Sequence, residues 1–167
     1  MTDKNLDIGF SNINGWFRYR AAAIIIEDGC VMLIKNTVDP YYYSVGGAVH
    51  LNETAEDAVR REVLEETGID YKIDRLVFIH ENFFEGDFGM NVKKHRCHEI
   101  AFYFLMKPKG IKVEKKSESY GQGGAKEYVC WIPIKDLDKH VAYPTFFKGK
   151  LSDINKNKAV EHIVTHE

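Results

Sequence analysis

Residues 47–69 concentrate the carboxylates whose types and spacing could do chemistry, and they read GAVHLNETAEDAVRREVLEETGI. Glu62, Glu65 and Glu66 are three and four residues apart, so on a helix their side chains share one face. Like charges at this spacing repel one another, and no lysine follows four residues after any of them. Because carboxylate oxygens are the ligands that Mg²⁺ and Mn²⁺ prefer, the pattern indicates either a divalent-cation site or a solvated acidic helix face.

The same stretch predicts one helix over residues 54–67. Thr54 followed by Asp57 is typical of a capped helix start, and Gly68 stands where a left-handed helix stop is expected. Neither glycine nor proline interrupts the segment. Apolar residues recur at four-residue spacing, which predicts a buried stripe made of Ala55, Val59 and Val63.

The full spacing resembles the Nudix box of the Nudix hydrolases: Gly, five residues, Glu, seven residues, Arg-Glu, an aliphatic, any residue, Glu-Glu, any residue, Gly and an aliphatic. Every defining position is matched, by Gly47, Glu53, Arg61, Glu62, Val63, Glu65, Glu66, Gly68 and Ile69. Two departures, Ser44-Val45 for a frequent Leu-Pro and Asn52 for a frequent Gly, fall in loops outside the defining set. The resemblance is strong over residues 44–69 and weaker over about 18–165.

This resemblance implies hydrolysis of a nucleoside diphosphate linked to some other group X, by attack of water at phosphorus. It implies Mg²⁺ as the cofactor, with Mn²⁺ as a substitute. By position in the box, Glu62 and Glu66 are expected to be the principal metal ligands, with help from Glu65 and the Gly47 carbonyl. A cation there would neutralise phosphate oxygens and acidify water.

Further roles are also implied by the box. Glu53 is expected to act through a water molecule or to fix the loop, and Arg61 to pair with a carboxylate such as Glu53 and so position the helix. The general base remains open among Glu66, Glu65 and Glu99, because Nudix enzymes vary in this role.

Glu99 stands near the start of a strand predicted over residues 98–106 (HEIAFYFLM). Alternation along that strand places Glu99 on one face with Ala101, Tyr103 and Leu105. An acid among apolar residues is costly to bury unless it is paired or bound to a metal. The alternatives are an exposed strand end and the additional glutamate that many Nudix enzymes carry outside the box.

Substrate-binding candidates lie outside the box and each has a structural alternative. Arg18 and Arg20, placed just ahead of the first strong strand, could contact a phosphate or form a solvated strand end. Tyr43, Phe83 and Phe84 could stack on a base or pack in the core. Positions 83–88 read FFEGDF and lack the Pro of many ADP-ribose hydrolases and the Tyr of dinucleoside polyphosphate hydrolases. A nucleoside triphosphate or another nucleotide derivative is therefore the default substrate.

The chain of 167 residues, 44% of them apolar and 29% charged, predicts one domain over residues 1–167, and the resemblance implies that it is a Nudix hydrolase domain. The predicted fold class is α+β, an α/β/α sandwich with a mixed sheet flanked by helices, as the resemblance implies. A net charge of -2 gives no signal for nucleic acid or anionic membrane. Cys30, Cys97 and Cys130 are widely spaced, which favours reduced thiols, and a cytoplasmic protein is expected. A homodimer is expected by analogy alone.

The remaining elements are predicted from local patterns. Asp28-Gly29 between two apolar runs predicts a hairpin of residues 21–26 and 30–34. A polar loop with a small basic cluster is expected over residues 86–96, and a flexible hairpin loop over residues 107–126. The other expected elements are an edge strand or lid over 1–16, strands over 71–80 (continuing irregularly to 84), 127–132 and 160–165, and helical turns over 133–138 and 144–151.

Two other functions compete with the hydrolase. A non-catalytic nucleotide sensor on the same fold would be favoured by loss of a box glutamate, and none is lost. Isoprenoid diphosphate isomerisation, known on a related fold, needs a reactive cysteine in a differently built site, which the three cysteines do not suggest.

Overall fold

The structure is a computed structural model that describes residues 6–86, 95–112, 116–120 (backbone only) and 125–167. The described strands are β1 (Gly9–Asn12), β2 (Gly15–Ile24), β3 (Ile26–Glu27), β4 (Cys30–Asn36), β5 (Tyr42–Tyr43), β6 (Gly46–Ala48), β7 (Ile73–Gly86), β8 (His95–Met106), β9 (Lys116–Tyr120), β10 (Lys126–Pro133), β11 (Ala142–Tyr143) and β12 (Glu161–His166). The helices are α1 (Ala55–Thr67) and α2 (Phe147–Lys150), with 3-10 turns at Ile134–Lys139 and Leu151–Asp153.

The strands form two mixed sheets. The first has the order β1-β2-β8-β7-β12, with β6 also paired to β2, and its β2–β8 and β7–β12 pairs are parallel. The second has the order β11-β5-β4-β10-β9, with β3 also paired to β4. The mixed pairing that the resemblance implied is therefore present, and it is divided between two sheets because the chain changes sheet between Ile24 and Ile26.

Helices cover both sides of the strands, which confirms the α/β/α arrangement. Val59 and Val63 of α1 pack with Ala21, Phe104 and Met106 in one apolar cluster. A second cluster lies on the other face, where Phe147, Leu151 and Leu137 of the short helical segments meet Ala22, Ile24 and Leu105. Consecutive residues of β2 and β8 thus face different cores, because side chains alternate along a strand.

The hairpin at Asp28-Gly29 is present, and both residues have positive φ values of 47° and 71°. Two adjacent left-handed residues are what a tight hairpin between twisted strands requires. However, only β3 pairs with β4 across this turn. Residues 21–24, which we predicted as the hairpin's first strand, belong to β2 in the other sheet.

Several strand boundaries differ from the predictions. β2 begins at Gly15, so Arg18 and Arg20 lie inside a strand and not ahead of one. β8 begins at His95 and takes up the end of the predicted loop over 86–96. The rest of that loop, including Lys93 and Lys94, lies outside the described residues. β7 pairs with β8 through Gly86, and its irregularities fall earlier than expected, near Arg75 and Phe78.

The C-terminal part of the chain follows the predicted order with adjusted types. β9 replaces part of the loop predicted over 107–126, because it pairs with β10. The turn after Pro133 is a 3-10 helix, and α2 with the following 3-10 turn corresponds to the segment predicted over 144–151. β1 is an edge strand, one of the two alternatives for residues 1–16. No helix within the described ranges is long and apolar enough to cross a membrane.

Candidate active site

Helix α1 sets the direction of the box carboxylates. Its N-cap is Thr54, whose side chain accepts a hydrogen bond from Asp57 N at 3.1 Å, and its C-cap Gly68 has φ 72°. The buried side chains Ala58, Val59 and Val63 turn one face toward the sheet. Ala55, the first residue of the predicted stripe, is only partly buried, and Ala58 takes its place. The helix therefore packs against the sheet through one face, and this orientation places Glu62 and Glu66 toward β6.

The backbone of β6 approaches the Glu62 carboxylate so closely that a side chain at position 47 would displace it. A Cβ atom built on Gly47 would lie 2.5 Å from Glu62 Oε1 and 2.7 Å from Glu62 Oε2. Such distances are far below van der Waals contact. The Gly47 position of the box thus leaves space for a carboxylate beside a strand backbone.

Arg61 binds the carboxylates that flank this space. Its Nε and Nη2 donate to Glu53 Oε1 and Oε2, both at 2.9 Å, and Nη2 also donates to Ala48 O at 3.0 Å. Its Nη1 donates to Glu62 Oε1 at 2.5 Å. The hydrogen bonds from Arg61 lower the pKa of Glu53, which stays ionised. The predicted Arg61–Glu53 pair is therefore present as a bidentate contact.

Glu66 lies against the same glycine strand and is largely removed from water. Gly46 N donates to Glu66 Oε2 at 3.1 Å. Burial raises the pKa of the Glu66 carboxyl to about 8, with Arg20 acting to lower it and Glu62 to raise it further. A carboxyl in this environment gains much from a nearby positive charge.

Glu65 differs from the other two glutamates of the helix. Its side chain is 59% exposed and lies 3.5 Å from Arg61 Nη1, whereas that of Glu62 is 14% exposed. The shared face predicted for the three glutamates thus consists of two inward carboxylates and one at the solvent edge. Arg61, which precedes Glu62 in the chain, supplies the positive charge that the i+4 positions lack.

The donor set fits a hard divalent cation. Glu62 lies against Gly47 and Glu66 against Gly46, so both carboxylates and the Gly47 carbonyl supply oxygen donors at this strand. Within the described ranges, no group of three His, Cys, Asp or Glu side chains stands ready to hold a metal ion. Mg²⁺ keeps several of its waters and binds through one or two carboxylates, so two inward glutamates are a sufficient protein contribution.

A cavity of about 440 Å³ adjoins the glutamates and contains several of the predicted residues. Its lining includes Arg18, Arg20, Tyr43, Phe84 and Glu99. Gly46 connects the cavity with the helix. Arg20 Nη2, in the cavity wall, donates to the carbonyl of Gly46 at 3.0 Å, and Gly46 N donates to Glu66 of the helix.

The two arginines of β2 are held by the protein itself. Arg18 forms an ion pair with Glu99, donating from Nε at 2.8 Å and also from Nη2. Arg20 donates to the carbonyls of Ser44, at 2.7 Å, and Gly46. Neither is a solvated strand end, which was the alternative to phosphate contact.

Glu99 is 5% exposed and is paired, so the exposed strand end proposed as its alternative is wrong. Burial alone would raise the pKa of its carboxyl. The guanidinium groups of Arg18 and Arg20 outweigh that effect and lower the pKa. Glu99 is therefore an ionised carboxylate.

Of the three aromatic candidates, two line the cavity and one does not. Tyr43 lines the cavity and donates from its hydroxyl to Glu127 Oε1 at 2.6 Å, and Phe84 lines it too. Phe83 lies outside the cavity, because the next residue of a strand points to the opposite face. It stacks between His98 and His166, at centroid distances of 4.3 and 5.0 Å. The placement does not support Phe83 as a substrate-binding residue.

Sequence reasoning missed several residues of the cavity: Ser44, His80, Asn82, Tyr103, Glu127 and Glu167. Glu127 begins an apolar strand, as Glu99 does, and the same argument about a costly buried acid could have found it. For the others no local signal exists, since pairing of distant strands brings them together.

Comparison with known proteins identifies the family. A family model described as NUDIX domain matches residues 17–149. A MutT-like protein of Streptomyces ambofaciens is 32% identical over 122 residues, which cover 73% of this chain and 67% of that protein. An ADP-ribose pyrophosphatase of Methanocaldococcus jannaschii is 33% identical over 86 residues, 50% of this chain and 46% of that protein. The chain thus matches about two thirds of the first relative's length and less than half of the second's.

A solved structure shows the same fold. The crystal structure of a mutator MutT protein from Bacillus halodurans aligns with a TM-score of 0.60 at 16% identity, over 89% of each chain. The family model covers most of the chain, and the box that it contains is complete in sequence and has its inward glutamates on one helix. The chain belongs to the Nudix hydrolase family.

Proposed function

We propose that this protein is a Mg²⁺-dependent hydrolase that cleaves the pyrophosphate bond of a nucleoside diphosphate linked to a further group X, or of a nucleoside triphosphate. The observation that carries the proposal is the placement of Glu62 and Glu66 against the Gly46-Gly47 backbone, where a side chain at position 47 would collide with Glu62. The name of the Methanocaldococcus relative, an ADP-ribose pyrophosphatase, supports the same reaction class.

Glu62, Glu66 and the Gly47 carbonyl would hold the cation, with Glu65 at its solvent side. When bound, the cation supplies neutralisation of phosphate oxygens and a lowered pKa for water. Arg61 keeps Glu53 and Glu62 in place through four hydrogen bonds to carboxylate and carbonyl oxygens. A guanidinium is suited to this task because its donors form a rigid fork.

Proton acceptance is best assigned within the helix. Glu66 lies beside the glycine backbone where the cation would be held, and Glu65 is accessible to water. Glu99 is disfavoured as general base because Arg18 and Arg20 lower its pKa. Its proposed task is to hold Arg18 at the cavity.

The test is a substrate panel with Mg²⁺ or Mn²⁺ that measures phosphate released after phosphatase coupling. The panel spans nucleoside triphosphates, oxidised triphosphates, ADP-ribose, nucleotide sugars, dinucleoside polyphosphates and NADH. One compound hydrolysed far faster than the rest, with activity lost in EDTA, is the expected result. Nucleotide binding without any turnover would favour the sensor that sequence analysis kept as the alternative.

Glu66→Gln tests the assigned carboxylate, and Glu56→Gln is its control on the same helix, at a side chain that is 59% exposed. We expect Glu66→Gln to fold and to lose turnover by orders of magnitude, while Glu56→Gln keeps parental turnover. Parental turnover in Glu66→Gln would refute the role proposed for the box. Location in the cytoplasm and a homodimeric state stay predictions.

A further inference from the structure

We propose that the cavity beside the box selects a positively charged nitrogen group, such as a cationic heterocycle, as the part of the substrate that it encloses. The inference rests on the proposed function, because it names the chemistry of one end of the substrate. Three observations carry it: two carboxylates of the cavity wall outside the described ion pairs, an unpartnered buried imidazole nitrogen, and the aromatic lining.

The described wall of the cavity contains two carboxylates, Asp39 and Glu167, that form no ion pair within the described residues. The cations of the wall are Arg18 and Arg20. Arg18 is paired with Glu99, and Arg20 faces the carbonyls of Ser44 and Gly46. A phosphate or carboxylate group would meet repulsion in this wall, and a cation would meet attraction.

Both carboxylates are held by neutral donors. Glu167 Oε1 accepts from Thr145 N at 2.8 Å and from Thr145 Oγ1 at 2.6 Å, and its Oε2 accepts from Asn82 Nδ2 at 2.8 Å. Asp39 Oδ2 accepts from Asn36 Nδ2 at 2.7 Å. Hydrogen bonds of this kind orient a carboxylate without cancelling its charge. Both side chains are therefore held at the cavity by neutral groups.

A directional chain of hydrogen bonds fixes the state of His80, which is 1% exposed and lines the same cavity. Thr165 Oγ1 donates to Asn82 Oδ1 at 2.7 Å, so it must accept from His80 Nε2, which lies 2.7 Å away. The proton then resides on Nε2, and Nδ1 presents a lone pair. This Nδ1 has no hydrogen-bond partner in the described part of the chain. The lone pair adds to the negative potential of the wall.

Aromatic rings complete the lining. Tyr41 makes edge contacts with Tyr43 and Tyr143, at centroid distances of 6.3 and 5.3 Å, and all three line the cavity with Phe84. Aromatic faces attract cations, and the attraction grows when the cation is removed from water. Tyrosine rings together with the Asp39 and Glu167 carboxylates favour a flat cation over a neutral base. An anionic group is the least favoured of the three.

The experiment compares matched pairs of probes that differ in charge and contain no pyrophosphate bond, so that binding is measured without turnover. The pairs are nicotinamide mononucleotide with its reduced form, and 7-methyl-GMP with GMP, titrated by calorimetry against the full-length protein. We expect the cationic member of each pair to bind about 5- to 30-fold more tightly. Equal affinities, preference for the neutral member, or no measurable binding of either cation overturns the inference.

Two variants and a control test the origin of the preference. Glu167→Gln and Asp39→Asn each remove one negative charge, and each should reduce the preference for the cation about 3- to 10-fold while affinity for the neutral member changes little. Asp153→Asn, an exposed carboxylate paired with Lys156 outside the cavity, should leave the preference unchanged. If both cavity variants retain the parental preference, these carboxylates do not produce it and the inference fails.

The outcome of the probe-binding experiment can be distinguished from the outcome of the substrate panel. Discrimination between probes in a protein that hydrolyses no compound would support the cavity assignment and refute the hydrolase. Hydrolysis of a pyrophosphate bond without discrimination between probes would do the reverse.

Discussion

Two neighbouring arginines of helix α1 have contrasting surroundings. Arg61 is 23% exposed and contacts Glu53, Glu62 and the carbonyl of Ala48. Arg60 is 49% exposed and lies near Glu56 and Asp57 on the solvent side. Ion pairs at the surface contribute little to stability, whereas removing one partner of a partly buried network leaves the other charge uncompensated.

Arg61→Ala should therefore weaken both the fold and the site. We expect the free energy of unfolding to fall by about 1–3 kcal/mol because the Glu53 carboxylate loses its bidentate donor. We also expect affinity for Mn²⁺ and kcat/KM to fall at least about tenfold, since Glu62 is no longer held. Chemical denaturation, metal titration and steady-state kinetics measure the three quantities.

Arg60→Ala is the matched control, and it should change the free energy of unfolding by no more than about 0.5 kcal/mol. Arg61→Lys keeps the charge and should recover only part of the loss, because an ammonium cannot form the paired contact with Glu53. Equal effects of the Arg60 and Arg61 replacements would show that Arg61 has no special positioning role.

Individual residues of the site could be predicted from sequence where their signal is local. The glutamates of the box, Arg61 and Gly47 all follow from one spaced motif within a single loop and helix. The partner of Glu99 could not be predicted. Arg18 is 81 positions away and meets Glu99 only because β2 and β8 pair in parallel, in that register. Local patterns show that a buried acid needs a partner, but they do not show which one.

At the scale of elements, the close approach of β6 to α1 creates the candidate cation site. Gly47→Ala should keep the helix but displace the Glu62 carboxylate, because the added Cβ would lie 2.5 Å from its Oε1. We expect affinity for Mn²⁺ to fall about tenfold or more, with a smaller effect on thermal stability. Manganese titration followed by paramagnetic resonance measures the binding directly, without a substrate.

Gly149→Ala is the control for a glycine-to-alanine change, since a Cβ atom there meets nothing within 4 Å. It lies in α2, where alanine is a better helix former, so stability should be unchanged or rise slightly. Parental manganese affinity in Gly47→Ala would mean that Glu62 can move aside without cost, and the space at Gly47 would lose its assigned purpose.

Long elements with sequence signals of their own could be predicted, whereas very short strands could not. The 13-residue helix α1 has a cap at each end and an apolar stripe, and its predicted bounds agree with the structure. β5, β6 and β11 have only two or three residues and were not predicted, because such strands are defined by their partners. β9 was missed for the same reason, since its Lys- and Ser-containing sequence lacks the alternation that indicates a half-buried strand.

At the scale of the whole molecule, the two sheets join distant parts of the chain at the cavity. β12 pairs in parallel with β7, which brings Thr165 beside Asn82 and carries Glu167 to the cavity wall. The centroid of the His80 ring lies 4.8 Å from that of Phe146, which belongs to the C-terminal part of the chain. The protonation state of one buried histidine is thereby coupled to the packing of the C-terminal segments against β7.

This coupling predicts how stability depends on pH. Burial lowers the pKa of His80 below its ordinary value of 6.5; Glu167 and Glu99 act to raise it, and Arg20 acts with burial to lower it. Below pH 6.5 the unfolded chain therefore binds a proton at this residue that the folded chain does not. Stability is fully present above pH 6.5 and is lost as the pH falls below it, by at most about 1.4 kcal/mol per pH unit.

Comparison of slopes isolates this residue from the other histidines. The free energy of unfolding, measured in urea between pH 5 and 7 with EDTA present, should depend less steeply on pH in His80→Gln than in the parent. His162→Gln alters a side chain that is 58% exposed, and it should leave the slope as it is. If His80→Gln retains the parental slope, His80 accepts its proton as readily in the folded protein as in the unfolded chain, and the buried, neutral imidazole assigned to the cavity wall would be wrong.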